Sequence, residues 1–386
     1  MTVKEAAHPV VTGERICKIA SSYGYVDCDV PVYELLADIA EPGQRPIAVV
    51  GPAMEVLGVI HPRELVEILG KPFGRDLLMR QKVQDIMRDA VTFRYDEYIQ
   101  EIRDRISGDL EGGVEAQYVL VDENAAFSGH VSSRDILVHA MEEHRRELKT
   151  AQSIQGRLVP PCLTVRGKLL SVVCSSVMAQ GVGGDYYYAR QFAQGKWFLC
   201  LCDISGKGVS AAIITAVLAG FLHSADLSLS LEETIRNLND LILDTFQLNK
   251  YLTGFFCVFD ELSGELRYCD MGHSFFFAVE GTRMFQVSEQ ADNVPVGLVA
   301  DVTPVERVLR LSPGTTFAVV SDGFVEQENR NSDSYPLDRL GAAIASCENG
   351  DLLRAKVKIF EDFFTFKKDV PQRDDISLLL FRYDQR

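Results

Sequence analysis

The chain has 386 residues, 47% hydrophobic and 24% charged, the composition of ordinary globular material long enough for two or three domains. Its 39 basic and 55 acidic residues give a formal net charge of -16, which argues against a nucleic-acid partner and suits a protein whose acids hold hard cations. No window approaches the apolar run of a membrane span, MTVKEAAHPVV lacks a secretion-signal core, and the nine cysteines show no pairing framework, so a cytoplasmic protein with free thiols is expected.

Residues 1–138 read as a strand-and-helix unit repeated once. In the first copy the spacing predicts a helix over Val32–Ile39, strands over Arg45–Val50 and Val56–Ile60, and a helix starting at Pro62. In the second, a helix over Glu97–Ile106 precedes strands over Gln117–Val121 and Phe127–Val131, with Ser132 as cap of the next helix. The segments VQDIM (Val83–Met87), YVLVDENAAFSGHVSSRDIL (Tyr118–Leu137) and GVIHPREL (Gly58–Leu65) resemble a tandem pair of cystathionine-beta-synthase (CBS) domains. That resemblance implies an α+β sensory and dimerisation module with an adenine nucleotide as ligand, contacted by a hydroxyl and an acid at a helix start. Ser132 and Asp135 match those positions in the second copy, whereas the first copy has His61 and Glu64. Without a ligand, the pair is a folded scaffold and Asp135 a helix-N-terminal acid.

Between Ile136 and Val159, apolar residues recur at Leu137, Ala140, Met141, Leu148, Ala151, Ile154 and Leu158, so one long amphipathic helix is predicted, ended by Pro160-Pro161. It links the domains over residues 139–161, as a solvated spacer, as the seam of a homodimer, or as both.

From residue 162 onward, four strand ends carry acids. Asp185 follows Gly183-Gly184. Asp203 closes the apolar run Trp197–Cys202 and precedes the turn Ser205–Gly208. Asp322 follows Phe317–Ser321, and Asp374-Asp375 precede Ile376–Phe381. One such Asp is normally a turn residue. Four together, two of them flanked by glycine, make a composite oxygen-rich site, which suits magnesium or manganese. Two such ions can share a water, lower its pKa and stabilise in-line attack on phosphorus with no protein nucleophile. The chain has no G-x-S-x-G elbow, no Walker loop and no His/Cys cluster with zinc spacing.

In order and spacing, VGGDYYY, CDISGKGVSAA, TGFFCVFDELSGELRYCDMGH, VVSDGFVEQEN and RDDISLLLF resemble the SpoIIE branch of the metal-dependent protein phosphatase 2C superfamily. ELKTAQSIQGRLVPP is similar to the regulatory helix that precedes such domains. The resemblance implies an α-β-β-α sandwich over residues 162–386, so that the fold class is α/β multi-domain: CBS pair, linker helix, phosphatase sandwich. It implies two Mn2+ or Mg2+ ions and dephosphorylation of phosphoserine or phosphothreonine, with a STAS-type anti-anti-sigma protein in a partner-switching pathway as substrate. By the same resemblance Asp185 and Asp203 are the catalytic acids. Asp185 bridges both ions, Asp203 acts with the Ile204 carbonyl, and Asp322, Asp374 and Asp375 complete the metal set. Where the family pattern often reads GGDFYD, this chain has Tyr188, which removes an accessory carboxylate. Two other classes stay open: a catalytically inactive pseudophosphatase that docks a partner, and a hydrolase of small phosphate esters. His273 is expected to be structural, Lys207 either steers an anion or is a solvated turn lysine, and Phe360, Phe363, Phe364 and Phe366 form core or a docking face.

Overall fold

The computed structural model describes residues 2–9, 11–38, 45–108, 116–247, 250–287, 292–347 and 350–384. The chain divides into two compact units, Met1–Arg146 and Glu147–Arg386. The division falls inside one helix, Ser133–Leu158, which contributes residues to both units.

The N-terminal unit shows the expected duplication. Strand Gly24–Asp27 pairs in parallel with Ile47–Val50, which pairs antiparallel with Val56–Ile60. Thr92–Arg94, Gln117–Val121 and Phe127–Ser132 repeat that order. Each parallel step is spanned by a helix, Val32–Asp38 in one copy and Ile99–Arg105 in the other, as a parallel pairing requires. Both antiparallel ladders carry a bulge at the same point, between Val49 and Val50 and between Leu120 and Val121, and a glycine opposite the preceding residue, Gly58 and Gly129. Ile39, at the end of the first expected helix, lies outside the described residues.

Two sheets make up the C-terminal unit. One has the order Tyr186–Ala193, Lys196–Ile204, Leu252–Asp260, Glu265–Met271, Arg307–Arg310. The other runs Arg283–Gln286, Phe276–Glu280, Thr316–Val320, Ile376–Tyr383, Leu170–Val177, Cys162–Arg166. All neighbours are antiparallel. Alternation explains why the central strands are apolar throughout. Phe317, Val319, Leu379 and Phe381 face the other sheet, while Ala318, Val320, Leu378 and Leu380 pack under helices Asp338–Ala345 and Leu352–Lys367. Phe255 from the five-stranded sheet meets Phe276 (4.8 Å) and Phe317 (5.5 Å) from the six-stranded one, and Phe317 stacks on Phe381 at 4.9 Å. Helices Val209–Ser224 and Leu231–Phe246 cover the outer face of the five-stranded sheet through Ala211, Ile214, Leu218, Ile235 and Leu238. The architecture is the α-β-β-α sandwich. All nine cysteines are free, and Cys200 and Cys202 are buried. Phe360 and Phe363 are core, whereas Phe364 is exposed.

Candidate metal centre

The topology gathers the acids at one end of both sheets. Tyr186 pairs with Cys202, so Asp185, just before one strand, lies beside Asp203, near the end of its neighbour. Val320 pairs with Leu378, and the Ser321 N–H donates to the Ser377 carbonyl at 3.0 Å. Asp322 and the pair Asp374-Asp375 therefore flank the matching ends of two strands in the other sheet. Each sheet contributes two of the sites read from the sequence.

Glycine makes the crossing possible. A Cβ on Gly184 would lie 2.6 Å from the Ile204 carbonyl oxygen and 3.4 Å from Asp203 Oδ1, and one on Gly183 would collide with the Asp375 carboxylate. The turn after Asp203 needs positive φ at Gly206 (99°) and Gly208 (73°), and helix Val209–Ser224 starts directly after it.

Asp185 is buried and its Oδ2 has no hydrogen-bond partner. Burial first, then the charges of Asp203 and Asp375, push its carboxyl well above the usual carboxylate range. Asp203 is pushed up to about 8 by burial and by Asp322, Asp374 and Asp375. Asp322 rises to about 6 through burial and the charges of Asp374 and Glu326. Uncompensated carboxylates that repel one another in a dry site are what a divalent cation relieves. The all-oxygen donor set and the orphaned Asp185 oxygen thus fit Mg2+ or Mn2+. Among the described residues, no three of these acids bring ligand atoms mutually within 4.8 Å.

Asp375 has a further task. Its Oδ1 accepts the Ala179 N–H at 2.8 Å and its Oδ2 the Gly184 N–H at 2.7 Å. It braces the Gly183-Gly184 turn, and its own N–H donates to Asp374 Oδ1 at 2.8 Å. Lys207 is neither purely solvated nor free. Its Nζ lies 2.6 Å from Asp374 Oδ2 and donates to the Arg373 carbonyl at 2.8 Å. The Tyr188 ring faces Phe198 and His223, away from any accessory role. His273 is buried, with Nε2 lacking a hydrogen-bond partner, its backbone N–H donating to Asp270 Oδ1, and its pKa lowered to about 4 by burial. A neutral imidazole bonded to the Val320 backbone serves the strand before Asp322, as a structural role requires.

Four contributors went unnoticed in the sequence. Ser321 Oγ accepts from the Ser377 N–H at 2.8 Å and donates to the Asp375 carbonyl at 3.1 Å, and both serine hydroxyls hold down the rise in the Asp185 pKa. Gln155, buried on the connector helix, grips Gly183 at both ends: Nε2 donates to the carbonyl (2.6 Å) and Oε1 accepts the N–H (3.0 Å). Thr215 of helix Val209–Ser224 donates to the same carbonyl at 3.5 Å. In the N-terminal unit, Ser132 and Asp135 form a reciprocal cap: Ser132 N–H to Asp135 Oδ2 (2.8 Å) and Asp135 N–H to Ser132 Oγ (3.1 Å). Ser21 Oγ donates to the same Asp135 oxygen at 2.6 Å.

The acids set a stability prediction. Asp203 and Asp322 bind protons more tightly folded than unfolded, so between about pH 4 and about pH 8 the folded chain holds more protons and loses stability as pH rises. In a chelator, the melting temperature is expected to fall from about pH 5 to about pH 8. Saturating Mn2+, which binds the ionised forms, is expected to remove or invert that slope. Scanning fluorimetry across pH checks it, and a flat chelator profile would count against the buried-acid cluster.

Residues 193–384 match the family profile described as Stage II sporulation protein E (SpoIIE). Among solved structures, the SiaA-PP2C domain of Pseudomonas aeruginosa is similar at 19% identity and TM-score 0.53, covering 64% of this chain and 99% of that one. The RsbU and RsbW domains of Rv1364c from Mycobacterium tuberculosis are similar at 19% identity and TM-score 0.47, covering 58% of this chain and 62% of that one. The phosphatase domain of SpoIIE from Bacillus subtilis, with a fragment of its regulatory domain, gives 18% identity and TM-score 0.47 over 58% of this chain and 64% of that one. At 19% identity, the likeness to the SiaA domain is one of fold. No curated protein sequence matches the chain.

Proposed function

We propose that the C-terminal unit, whose residues 193–384 match the SpoIIE family profile, is a metal-dependent phosphatase that hydrolyses phosphoserine or phosphothreonine on a partner protein. The observation that carries this reading is the convergence of Asp185, Asp203, Asp322 and Asp374 from two sheets onto one end of the sandwich, around a buried carboxylate oxygen with no partner. Asp185, Asp203 with the Ile204 carbonyl, Asp322, Asp374 and Asp375 would hold two Mn2+ or Mg2+ ions. Bound divalent ions supply the Lewis acidity that makes water a nucleophile towards phosphorus at neutral pH. The protein's share is positional. Asp375 ties the two sheet ends together through Gly184, Ser321 and Ser377 fix the neighbouring strand ends of the six-stranded sheet, the glycine turns bring backbone against the acids, and the Lys207 ammonium, paired with Asp374, would face an anionic substrate once a metal ion took over that acid.

The substrate proposed is a phosphorylated STAS-type anti-anti-sigma protein in a partner-switching pathway, with the enzyme a cytoplasmic homodimer. For the N-terminal unit we propose a CBS pair that regulates the phosphatase. Its support is the repeated strand-helix-strand-strand order with matching bulges and glycines. An adenine nucleotide is the proposed ligand, at Ser132 and Asp135, where it would compete with the Ser21 hydrogen bond. A change there has a covalent route onward, because the helix that starts beside Ser132 carries Gln155 to the Gly183 turn.

The test is hydrolysis of p-nitrophenyl phosphate and of a phosphoserine STAS protein by the full chain with Mn2+, Mg2+ or chelator. Metal-dependent release of phosphate from the phosphoprotein is expected. Turnover of the small ester alone would point to a small-molecule hydrolase, and no turnover of either to a pseudophosphatase.

A further inference from the structure

A second cluster of metal-ligating side chains lies wholly within the N-terminal unit. Glu14, His139 and Glu143 each offer a ligand atom, and these atoms all lie within 4.8 Å of one another, the only such group among the described residues. His139 and Glu143 are one helical turn apart on helix Ser133–Leu158, so both side chains leave the same face. Glu14 comes from the N-terminal segment. Its carbonyl accepts the Ile99 N–H at 3.2 Å, and the next residue, Arg15, is held over the Tyr98 ring at 3.8 Å. The backbone behind each ligand is therefore fixed.

The imidazole is placed as a ligand would be. His139 Nδ1 is shut off from solvent and has no hydrogen-bond partner. It is 3.6 Å from Glu143 Oε2, too far for a hydrogen bond, while Nε2 is 3.3 Å from Glu14 Oε2. The group opens on a cavity of about 490 Å³ that Glu101 and Asp104 also line. No Lys or Arg is among the lining residues. Asp104 has Arg103 at 3.6 Å outside it, which leaves the His139 imidazole as the one basic group of the lining beside Glu14 and Glu143. A tetrahedral ion with bonds of about 2.0–2.2 Å keeps its donors roughly 3–4 Å apart, so small side-chain rotations close the site.

We propose that Glu14, His139 and Glu143 form a regulatory site for one divalent transition cation, separate from the phosphatase centre. One imidazole with carboxylates selects zinc-like ions over magnesium and calcium, which prefer oxygen alone. The bound ion ties the Glu14 segment to the helix that runs on to Gln155, and so stiffens the element shared by both units.

Zn2+ titrated calorimetrically into the full chain carrying Asp185→Asn and Asp374→Asn, which disable the phosphatase centre, isolates this site from the one proposed above. One Zn2+ per chain is expected, with affinity lowered at least about tenfold by Glu143→Gln and lost in His139→Gln. Glu143 is half-exposed and glutamine keeps its volume and the helix, so a folding defect does not confound that variant. Mg2+ in place of Zn2+ is expected to give no saturable heat that depends on His139. Absence of a one-site Zn2+ isotherm, or one that Glu143→Gln and His139→Gln leave unchanged, overturns the proposal, whatever the phosphatase assays show.

Discussion

Asp203→Asn is expected to lower Mn2+-dependent phosphate release by about a thousandfold or more, equivalent to about 4 kcal/mol of transition-state stabilisation. The carboxamide keeps the volume of the side chain but not the anionic oxygen that a hard cation needs. Substitution should also weaken Mn2+ binding, readable by calorimetry independently of turnover. The same change is expected to raise, or at least not lower, the melting temperature in chelator. Asp203 is half-buried, and burial with the charges of Asp322, Asp374 and Asp375 pushes its pKa up to about 8, so losing its charge relieves repulsion that a bound ion would offset. A general structural role would give the opposite pattern, with both activity and metal-free stability falling. Full activity in Asp203→Asn would remove this acid from the centre.

The acids were legible because each borders an apolar strand, Asp203 and Asp322 after one and Asp185 and Asp374-Asp375 before one, where an ionisable residue is conspicuous whatever the fold. Their partnership needed the pairings Tyr186 with Cys202 and Val320 with Leu378, which no local pattern contains. The sandwich itself came from the family resemblance, and the strand composition is consistent with it. Period-two runs such as Ile376–Phe381, apolar on both faces, require cover on both sides. What stayed hidden is made of neutral polar groups. Ser321 and Ser377 look like ordinary strand residues, and their value lies in a hydrogen bond across 56 positions. Asp375 was read only as a metal acid, and its bracing role, with one oxygen on each of two backbone N–H groups 196 and 191 residues earlier, was not visible. Ser132 and Asp135 read equally as nucleotide contacts or as a helix start, and their mutual hydrogen bonds show that they do serve the helix start.

Gln155 extends this to the connector. In a helix otherwise read for its apolar stripe, a buried glutamine is costly unless every polar atom is satisfied. Here the amide satisfies itself on the N–H and the carbonyl of a single residue, Gly183, two positions before Asp185. Gln155→Ala strips both partners from that buried peptide, leaving only the weak 3.5 Å contact from Thr215. Unsatisfied buried groups cost about 1–3 kcal/mol each. The Gly183 turn can escape that cost only by moving, and the Asp185 carboxylate moves with it. The expected result is a rise in the Mn2+ concentration needed for half-maximal activity of roughly tenfold to a hundredfold, with much of the turnover restored at saturating Mn2+. A fall in turnover that excess metal does not restore would place Gln155 outside the positioning of the metal acids. Gln155→Glu separates packing from polarity. It keeps the acceptor for the Gly183 N–H but cannot donate to the carbonyl, and it puts a charge near Asp185. It is expected to be at least as impaired as the alanine variant despite its better fit. If it instead behaved like the parent protein, the donor bond to the Gly183 carbonyl would have no part in holding the turn, and the connector would reach the metal acids by some route other than this side chain.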